Sequence, residues 1–204
     1  MGQYSYKTIK NSSHGIFRDR GSRFLAFAFQ VTSEARIQEI LDNLRNEHQK
    51  ASHHCYAWRI GTNMDHFRAN DDGEPSGTAG RPVLGQIRRY NLTNILIVVI
   101  RYFGGTLLGT GGLINAYRSA SADALANSEI ITKTIDELIE VTFPYEAMND
   151  VMRVLKEERA EQVTQSFDTE CKIRIRIPVE RSERITGRLK STGKVSVDKL
   201  SITY

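Results

Sequence analysis

The chain has 204 residues, of which 40% are hydrophobic and 25% charged, a composition typical of globular proteins. Its longest apolar run begins at Ile95 and ends before Arg101, which is too short for a membrane-spanning helix. The first residues lack the apolar core of a secretion signal, and the two cysteines, Cys55 and Cys171, lie far apart. We therefore expect a cytoplasmic protein with no membrane partner and no disulfide framework.

The net charge of +4 is unevenly distributed. Residues 1–134 carry 16 Lys and Arg against 11 Asp and Glu, whereas residues 135–204 carry 12 against 13. A mildly basic first half permits contact with nucleic acid. No dense cationic run is present, so an ordinary solvated surface also explains this charge.

The first half alternates strand and helix patterns. Ser33 fits an N-cap before the helical spacing of Ile37, Ile40, Leu41 and Leu44. The continuous β-branched run at residues 95–100 predicts a central strand that is buried on both faces. The other predicted elements are strands at 4–8, 24–31 and 54–60, a polar loop at 61–82, a helix from Pro82 or Val83 to Tyr90, and a helix after Gly111 that buries Leu113, Ala116, Tyr117, Ala120 and Ala124.

The second half has a compact pattern of its own. Strands are predicted at 135–143, 163–167, 172–177 and 195–203, and helices at 145–158 and 179–191. This βαββαβ order is the split-βαβ, ferredoxin-like pattern. We therefore predict an α+β protein of two domains, at residues 1–130 and 135–204, with the boundary between Ser128 and Asp136.

Glycine is concentrated in the middle of the chain, where nine of the 15 glycines lie between Gly73 and Gly112. Most belong to two segments, an acidic loop at Asp71–Pro82 and a glycine-rich turn at Gly104–Gly112. Glycine is costly to order, so such a cluster indicates positive φ angles or a close approach to the backbone. Because the two segments flank one apolar strand, we expect them to pack together as one site.

The glycine-rich turn leads from a strand into a helix, where backbone N–H groups can bind an anion. The known phosphate fingerprints do not fit, however. A dinucleotide-binding motif that starts at Gly109 would need glycine at the position of Ile114, and a P-loop that starts at Gly104 would need lysine at Thr110. The alternative is a tight structural turn packed against the acidic loop.

Asp71, Asp72 and Glu74 place three carboxylates within four residues. Such a cluster can bind a hard cation or perform acid–base chemistry. It can also accept hydrogen bonds from backbone N–H groups and close the loop onto the glycine-rich turn, with Arg81 or Arg101 compensating the charge. The second interpretation is favoured, because the spacing of a calcium-binding loop is absent.

The sequence His53-His54-Cys55 resembles a cluster of metal ligands. On a strand only His53 and Cys55 share a face, and no second pair of ligands completes a tetrahedral site. We therefore expect no metal, no cofactor and no catalytic residue. The serines Ser76 and Ser119 lack the context of a nucleophile elbow.

Several motifs resemble the IMPACT/YigZ family. They are Ser22-Arg23-Phe24, residues 53–57, the acidic-loop string Asp-Asp-Gly-Glu-Pro-Ser-Gly-Thr-Ala-Gly-Arg-Pro, and residues 101–113. The resemblance is strong over residues 1 to about 130 and weaker beyond. It implies an N-terminal domain with the fold of the second domain of ribosomal protein S5. It also implies a C-terminal domain similar to the last domain of elongation factor G, and eukaryotic members of the family regulate translation.

Taken together, these features predict a non-catalytic protein that binds RNA, the ribosome or a translation factor. An enzyme or small-ligand protein that binds a phosphorylated molecule at the glycine-rich turn is the alternative, and a protein-interaction adaptor is a third. The candidate ligand-binding residues are Arg23, Asp71, Asp72, Gly73, Glu74, Ser76, Gly77, Thr78, Arg81, Arg101, Tyr102, Gly104, Gly105, Gly109, Thr110, Gly111 and Gly112. The candidate nucleic-acid-binding residues are Arg88 and Arg89.

Overall fold

The computed structural model describes residues 4–62 and 65–203. The chain divides into two compact units, each with its own core, which confirms a mixed fold of two domains. The N-terminal unit is Tyr6–Lys133, and the C-terminal unit begins at Thr134 and includes Ser5. No helix among the described residues is both long and apolar enough to cross a membrane.

The N-terminal unit is built on a five-stranded antiparallel sheet, in the order β2-β3-β6-β4-β5. Strands β1 and β7 form a separate two-stranded sheet. The elements of this unit, apart from the end residues Ser5 and Thr134, are β1 (Ser5–Ile9), β2 (Ser13–Asp19), β3 (Ser22–Gln30), α1 (Glu34–Glu47), β4 (His53–Ile60), β5 (His66–Asn70), α2 (Gly80–Arg89), β6 (Ile95–Tyr102), α3 (Gly109–Ala126) and β7 (Ile130–Thr134).

Strand β6 is the middle of the sheet and is buried on both faces, as its apolar run predicts. Ile95, Ile97 and Val99 face the core under α2 and α3. The alternate residues Leu96, Val98 and Ile100 face the core under α1. Helix α1 begins after Ser33, whose side chain accepts a hydrogen bond from the Arg36 N–H, and it buries the four predicted apolar residues.

Some elements differ from the sequence-based prediction. The predicted polar loop at 61–82 contains β5, and α2 begins at Gly80, two residues before Pro82. Strands β2 and β7 are absent from the sequence-based prediction. Strand β2 contains a glycine and buries only that residue fully, and β7 has five residues, of which three are exposed. Each is held by pairing with a neighbouring strand rather than by a strong local pattern.

The C-terminal unit has the predicted βαββαβ order and a four-stranded sheet in the order β11-β8-β10-β9. Its two helices bury apolar residues against one face of that sheet. The elements are β8 (Asp136–Phe143), a short 3₁₀ turn at Tyr145–Ala147, α4 (Met148–Glu157), β9 (Glu161–Phe167), β10 (Cys171–Pro178), α5 (Val179–Lys190) and β11 (Ser196–Thr203). The similarity of the two domains to parts of ribosomal protein S5 and elongation factor G remains an expectation, which follows from the resemblance to the IMPACT/YigZ family.

Candidate functional site

The register of the sheet places Arg101 between an aromatic residue on one neighbouring strand and a histidine on the other. On β6 it lies opposite Phe24 of β3 and opposite His53 of β4. Because alternate residues of a strand share a face, Arg101 follows Ile97 and Val99 onto the face covered by α3. A guanidinium is therefore placed at the edge of an apolar core.

Glu74 of the acidic loop compensates the charge of Arg101. Arg101 Nη1 donates to Glu74 Oε1 at 2.6 Å, and the Tyr117 hydroxyl donates to the same oxygen at 2.7 Å. The side chains of Glu74 and Arg101 are only 3% and 7% exposed. Burying two charges is costly unless both are paired and hydrogen-bonded, so the hydroxyl from α3 is part of what holds the pair in place.

Aromatic rings surround the guanidinium. The Arg101 Cζ atom lies 5.5 Å from the ring centroids of both Phe24 and Phe103, within the range of cation–π attraction. Tyr117 meets Phe24 edge to face, with 5.2 Å between the ring centroids. The ion pair is thus fixed by three elements, β3, β6 and α3.

Asp71 organises the acidic loop itself. Its carboxylate accepts hydrogen bonds from the backbone N–H groups of Gly77, Ala79 and Gly80, at 2.8, 3.0 and 2.8 Å. Burial opposes ionisation, but these hydrogen bonds outweigh it and hold the pKa of Asp71 below its usual value. The predicted carboxylate-to-backbone cap therefore exists, but it closes the loop onto the start of α2 and not onto the glycine-rich turn.

Asp72 fixes the two histidines of β4. Its carboxylate accepts from the His54 backbone N–H at 2.7 Å, and its backbone oxygen lies 2.8 Å from His53 Nδ1. A carbonyl can only accept, so Nδ1 of His53 carries a proton. His53 Nε2 faces Glu74 Oε1 at 3.9 Å. Burial lowers the pKa of His54 on the opposite face.

Cys55 is a buried thiol in the same network. Its Sγ lies 3.0 Å from the Asp71 carbonyl oxygen and 3.3 Å from the Tyr117 hydroxyl. Burial raises the pKa of the Cys55 thiol and of the Tyr117 phenol, so neither group is a ready nucleophile or base. Among the described residues, no three His, Cys, Asp or Glu side chains are placed to hold a metal ion.

A cavity of about 440 Å³ opens where the acidic loop and the glycine-rich turn meet. The two segments therefore lie together, as their shared glycine content predicts. The walls are mainly apolar, with a few polar groups among them. The lining residues are Ser52, His53, Glu74, Pro75, Arg101, Phe103, Leu107, Leu108, Gly109, Thr110 and Leu113.

The segment named the glycine-rich turn includes both a loop and the start of helix α3. Gly105 and Gly109 have φ angles of +87° and +71°, which favour glycine. A Cβ at Gly104 would lie 2.0 Å from the Gly21 carbonyl carbon, so this glycine permits a close backbone approach. Gly109 is also the first residue of α3, and Gly111 and Gly112 follow it in the first turn without a positive φ. The positive φ that the glycine cluster indicates therefore does not extend to Gly111, because the helix begins earlier than its glycines suggest.

The predicted site residues fall into two groups. Glu74, Arg101, Gly109 and Thr110 line the cavity. The others shape the loops or lie outside its lining. The Thr78 hydroxyl donates to the Pro75 carbonyl at 2.6 Å within the acidic loop.

The remaining predicted arginines do not gather at the cavity. Arg23 lies over the ring of Tyr102, with 5.1 Å from Cζ to the centroid. Arg88 lies over the ring of Phe67, at 4.5 Å, in the last turn of α2 beside Arg89. The exposed Arg81 side chain runs close to Gly77. A contact of these arginines with a ligand or with nucleic acid would therefore lie outside the cavity lining.

Several cavity residues escaped sequence reasoning. His53 is absent from the predicted ligand-binding residues, and so are the apolar residues Phe103, Leu107, Leu108 and Leu113. Their convergence depends on the pairing of His53 with Arg101 across β4 and β6, which no local pattern reveals. One usable signal is the large apolar side chain of Phe103 just before the glycine-rich turn and of Leu107 within it. Both side chains are exposed, and neighbouring exposed apolar residues often mark a recognition surface.

Comparison with known proteins relates the chain to one protein family. The Impact N-terminal domain matches residues 20–125. The IMPACT family member YvyE of Bacillus subtilis is 35% identical over 156 residues, which are 76% of this chain and 72% of the relative. The IMPACT family member YigZ of Escherichia coli is 30% identical over 185 residues, 89% and 90% of the two chains.

A solved crystal structure, described as that of a hypothetical protein, has the same fold with a TM-score of 0.76. It is 26% identical and covers 98% of both chains. The domain match and the similarity to relatives over most of their length agree with the motifs in the acidic loop and the glycine-rich turn. The chain belongs to the IMPACT family.

Proposed function

We propose that the protein is a non-catalytic binding protein that takes part in the regulation of translation. It would act by engaging RNA, the ribosome or a translation factor. The observation that carries the binding role is the cavity, where the acidic loop and the glycine-rich turn meet at a buried Glu74–Arg101 pair. Translation is supported by family membership, since the resemblance implies that eukaryotic members regulate it.

The chemistry of the cavity supports binding over catalysis. Burial raises the pKa of the Cys55 thiol and of the Tyr117 phenol, and Glu74 already accepts hydrogen bonds from two donors. The mouth exposes large apolar groups, with Phe103 49% and Leu107 81% accessible. Exposed apolar groups around a concave site are typical of recognition surfaces.

A capture experiment tests this role. Tagged full-length protein would be incubated with lysate of the source cells, with and without ribonuclease, and the bound fraction analysed for ribosomal RNA, ribosomal proteins and translation factors. Leu107→Ser removes an apolar group from the mouth, and Leu200→Ser is the matched control on an exposed leucine of the C-terminal unit. Enrichment that Leu107→Ser alone abolishes supports the proposal. Equal recovery of these components by the wild type, Leu107→Ser and Leu200→Ser contradicts it.

Direct RNA binding needs its own measurement. The basic balance of residues 1–134 suggests weak contact with few phosphates. Titration of labelled single-stranded RNA at about 50 and 200 mM salt should then show affinity that falls steeply with salt. Charge reversal at Arg88 and Arg89 should weaken the binding. No binding at the lower salt would leave a protein partner as the target.

A small-ligand protein is the second candidate, favoured by the position of Gly109 and Thr110 in the cavity wall. It would bind a phosphorylated molecule through the start of α3. This candidate predicts saturable binding of a defined phosphate compound with little further dependence on salt. A thermal-shift screen of phosphorylated metabolites tests it, and the absence of any shift would remove it.

A further inference from the structure

The turn between β2 and β3 has an arginine at a position where the backbone favours asparagine or glycine. Asp19 pairs with Ser22, so Arg20 and Gly21 form a two-residue loop. Their φ angles are +43° and +80°, and asparagine followed by glycine is the preferred sequence of a hairpin loop with two positive φ angles. Arginine adopts this left-handed conformation only at an energetic cost. The Arg20 side chain is exposed, so burial does not offset that cost.

The strands beside this turn place two further arginines opposite each other. Arg18 of β2 pairs with Arg23 of β3, and like charges directly opposite in an antiparallel pair are destabilising. All three arginines are exposed, and none of them forms an ion pair among the described residues. Local choices that work against the fold are expected at functional sites.

The same three arginines line one concavity of about 430 Å³ at the hairpin tip. Asp19 is the single carboxylate in its described lining, so the concavity has an excess of positive charge. A ligand with several negative charges would offset the repulsion between Arg18 and Arg23. The sequence and the geometry of the tip therefore both indicate an anionic partner.

The loop after β6 holds the hairpin tip in place. Gly104 donates its backbone N–H to the hydroxyl of the buried Ser22 at 3.1 Å. A Cβ added at Gly21 would lie 2.8 Å from the Gly104 carbonyl oxygen, so the two backbones are in close contact. The arginines therefore extend from a fixed turn, and a pre-organised surface loses less conformational freedom on binding.

Tyr102 continues this surface on the next strand. It pairs with Arg23 across β3 and β6, and the Arg23 guanidinium lies over its ring, with Cζ 5.1 Å from the centroid. The Tyr102 hydroxyl is hydrogen-bonded to His48 Nδ1 at 2.9 Å, which orients the ring. The stacked guanidinium and ring provide a planar surface beside the cationic concavity.

Building on the proposed contact with RNA, we propose that the hairpin surface, formed by Arg18, Arg20, Arg23 and Tyr102, binds single-stranded RNA. Phosphate groups would accept hydrogen bonds from the guanidiniums, and a base would stack on the Arg23 guanidinium held over Tyr102. Aromatic rings and arginine planes are the usual stacking partners of unpaired bases. An acidic protein segment would match the charge of this surface but would not use its planar group.

Fluorescence anisotropy with the purified full-length protein tests this assignment. The probe is a labelled oligouridylate of about 12 nucleotides, and the competitors are duplex RNA and an oligoglutamate peptide of the same length. We expect saturable binding of the single strand, with log K falling against log salt at a slope of about −2, because each of three phosphate contacts contributes about −0.7. Both competitors should bind at least about tenfold more weakly.

Arg20→Asn is the most informative variant, because asparagine suits the turn better than arginine. We expect its melting temperature to rise by about 2 °C or more. Its affinity for the single strand should nevertheless fall at least about threefold, and its salt slope should be smaller by about 0.7. A residue that served only the turn would not combine higher stability with weaker binding.

Two further variants separate stacking and site from general charge. Arg23→Lys keeps the charge but loses the planar group, so it should weaken binding and leave the salt slope unchanged. Arg68→Gln removes an exposed arginine from β5, at the edge of the sheet opposite β2, and should leave the binding unchanged.

Several results would overturn the proposal. These are no binding of the single strand at about 50 mM salt, unchanged affinity and slope in Arg20→Asn, or an equal loss in Arg68→Gln. Equal or tighter binding of duplex RNA or of oligoglutamate would assign the surface to another polyanion. The measurement uses purified protein and a defined RNA, so its failure leaves the capture of a translation partner through the cavity mouth to be decided separately.

Discussion

At the residue scale, the buried Glu74–Arg101 pair is the group on which the cavity depends most. Neither residue stands out in the sequence, because other charged residues such as Asp71, Asp72 and Arg81 also lie close to glycines. Their pairing was foreseen only as one way to neutralise the acidic loop. What makes the pair special is the burial of both side chains and the second hydrogen bond to Glu74, which Tyr117 donates. Both follow from the fold and not from sequence spacing.

Removal of Glu74 should therefore be severe. Glu74→Ala leaves the guanidinium of Arg101 buried without a countercharge, and we expect a loss of about 3–5 kcal/mol in the free energy of unfolding. Glu129→Ala is the control, because Glu129 forms an exposed ion pair with Lys10 that is worth about 0–1 kcal/mol. Urea unfolding at neutral pH measures both. Equal losses for the two variants would show that burial of the pair contributes nothing.

Asp71 gives a pH-dependent prediction of known sign. Hydrogen bonds from three N–H groups hold its pKa in the folded protein below the usual 3.8. A carboxyl group with a lowered folded pKa stabilises the fold above its unfolded pKa and loses that contribution as pH falls through the folded value. The contribution is thus complete at neutral pH and disappears in strong acid.

Asp71→Asn removes this contribution. We expect the variant to be less stable than the wild type by about 1–3 kcal/mol near pH 7, because hydrogen bonds to a charged acceptor are lost. The difference should shrink as the pH falls below 3.8. Urea titrations over this range provide the test. A difference that stays constant into strong acid would contradict the assigned role.

At the element scale, the sequence predicted the helices and the central strand well and the edge elements poorly. The predicted packing face of α3 is confirmed by the burial of Leu113, Ala116 and Tyr117. Strand β5 was not predicted from the sequence, because it lies between segments rich in glycine and proline and its own residues are mostly exposed. The start of α3 was misjudged because glycines dominate it, although tertiary packing overrides their low helix propensity.

Two glycines of the turn should respond in opposite ways to alanine. Gly104→Ala would force a Cβ to 2.0 Å from the Gly21 carbonyl carbon, and we expect a loss of about 2 kcal/mol or more. At Gly111 the added Cβ meets no atom within 4 Å, and helix propensity predicts a gain of about 0.5–1 kcal/mol. Thermal unfolding distinguishes them. Destabilisation at both positions would argue against a helical Gly111.

At the scale of the whole molecule, the chain separates into two compact units with their own cores. The two-domain α+β class could be predicted because the βαββαβ pattern after residue 135 is complete in itself. The cavity could be predicted only in outline. Its two glycine-bearing segments were recognisable, but the apolar wall and His53 depend on long-range pairing.

Independent folding of the C-terminal unit stays a prediction. A fragment of residues 134–204 has a core of its own in the described part, and we expect it to unfold cooperatively in urea. Domains of about 70 residues are only marginally stable, so the experiment belongs at low temperature. A fragment that gives a random-coil circular dichroism spectrum would contradict independence.

The measurement that tests the central proposal most directly is the rate of protein synthesis in a cell-free translation system with purified full-length protein added. We predict a concentration-dependent change in reporter synthesis with the wild type and with Leu200→Ser, and no change with the cavity variant Leu107→Ser. An unchanged rate at all concentrations of the wild type, or an equal effect of Leu107→Ser, would contradict a role of this cavity in translation.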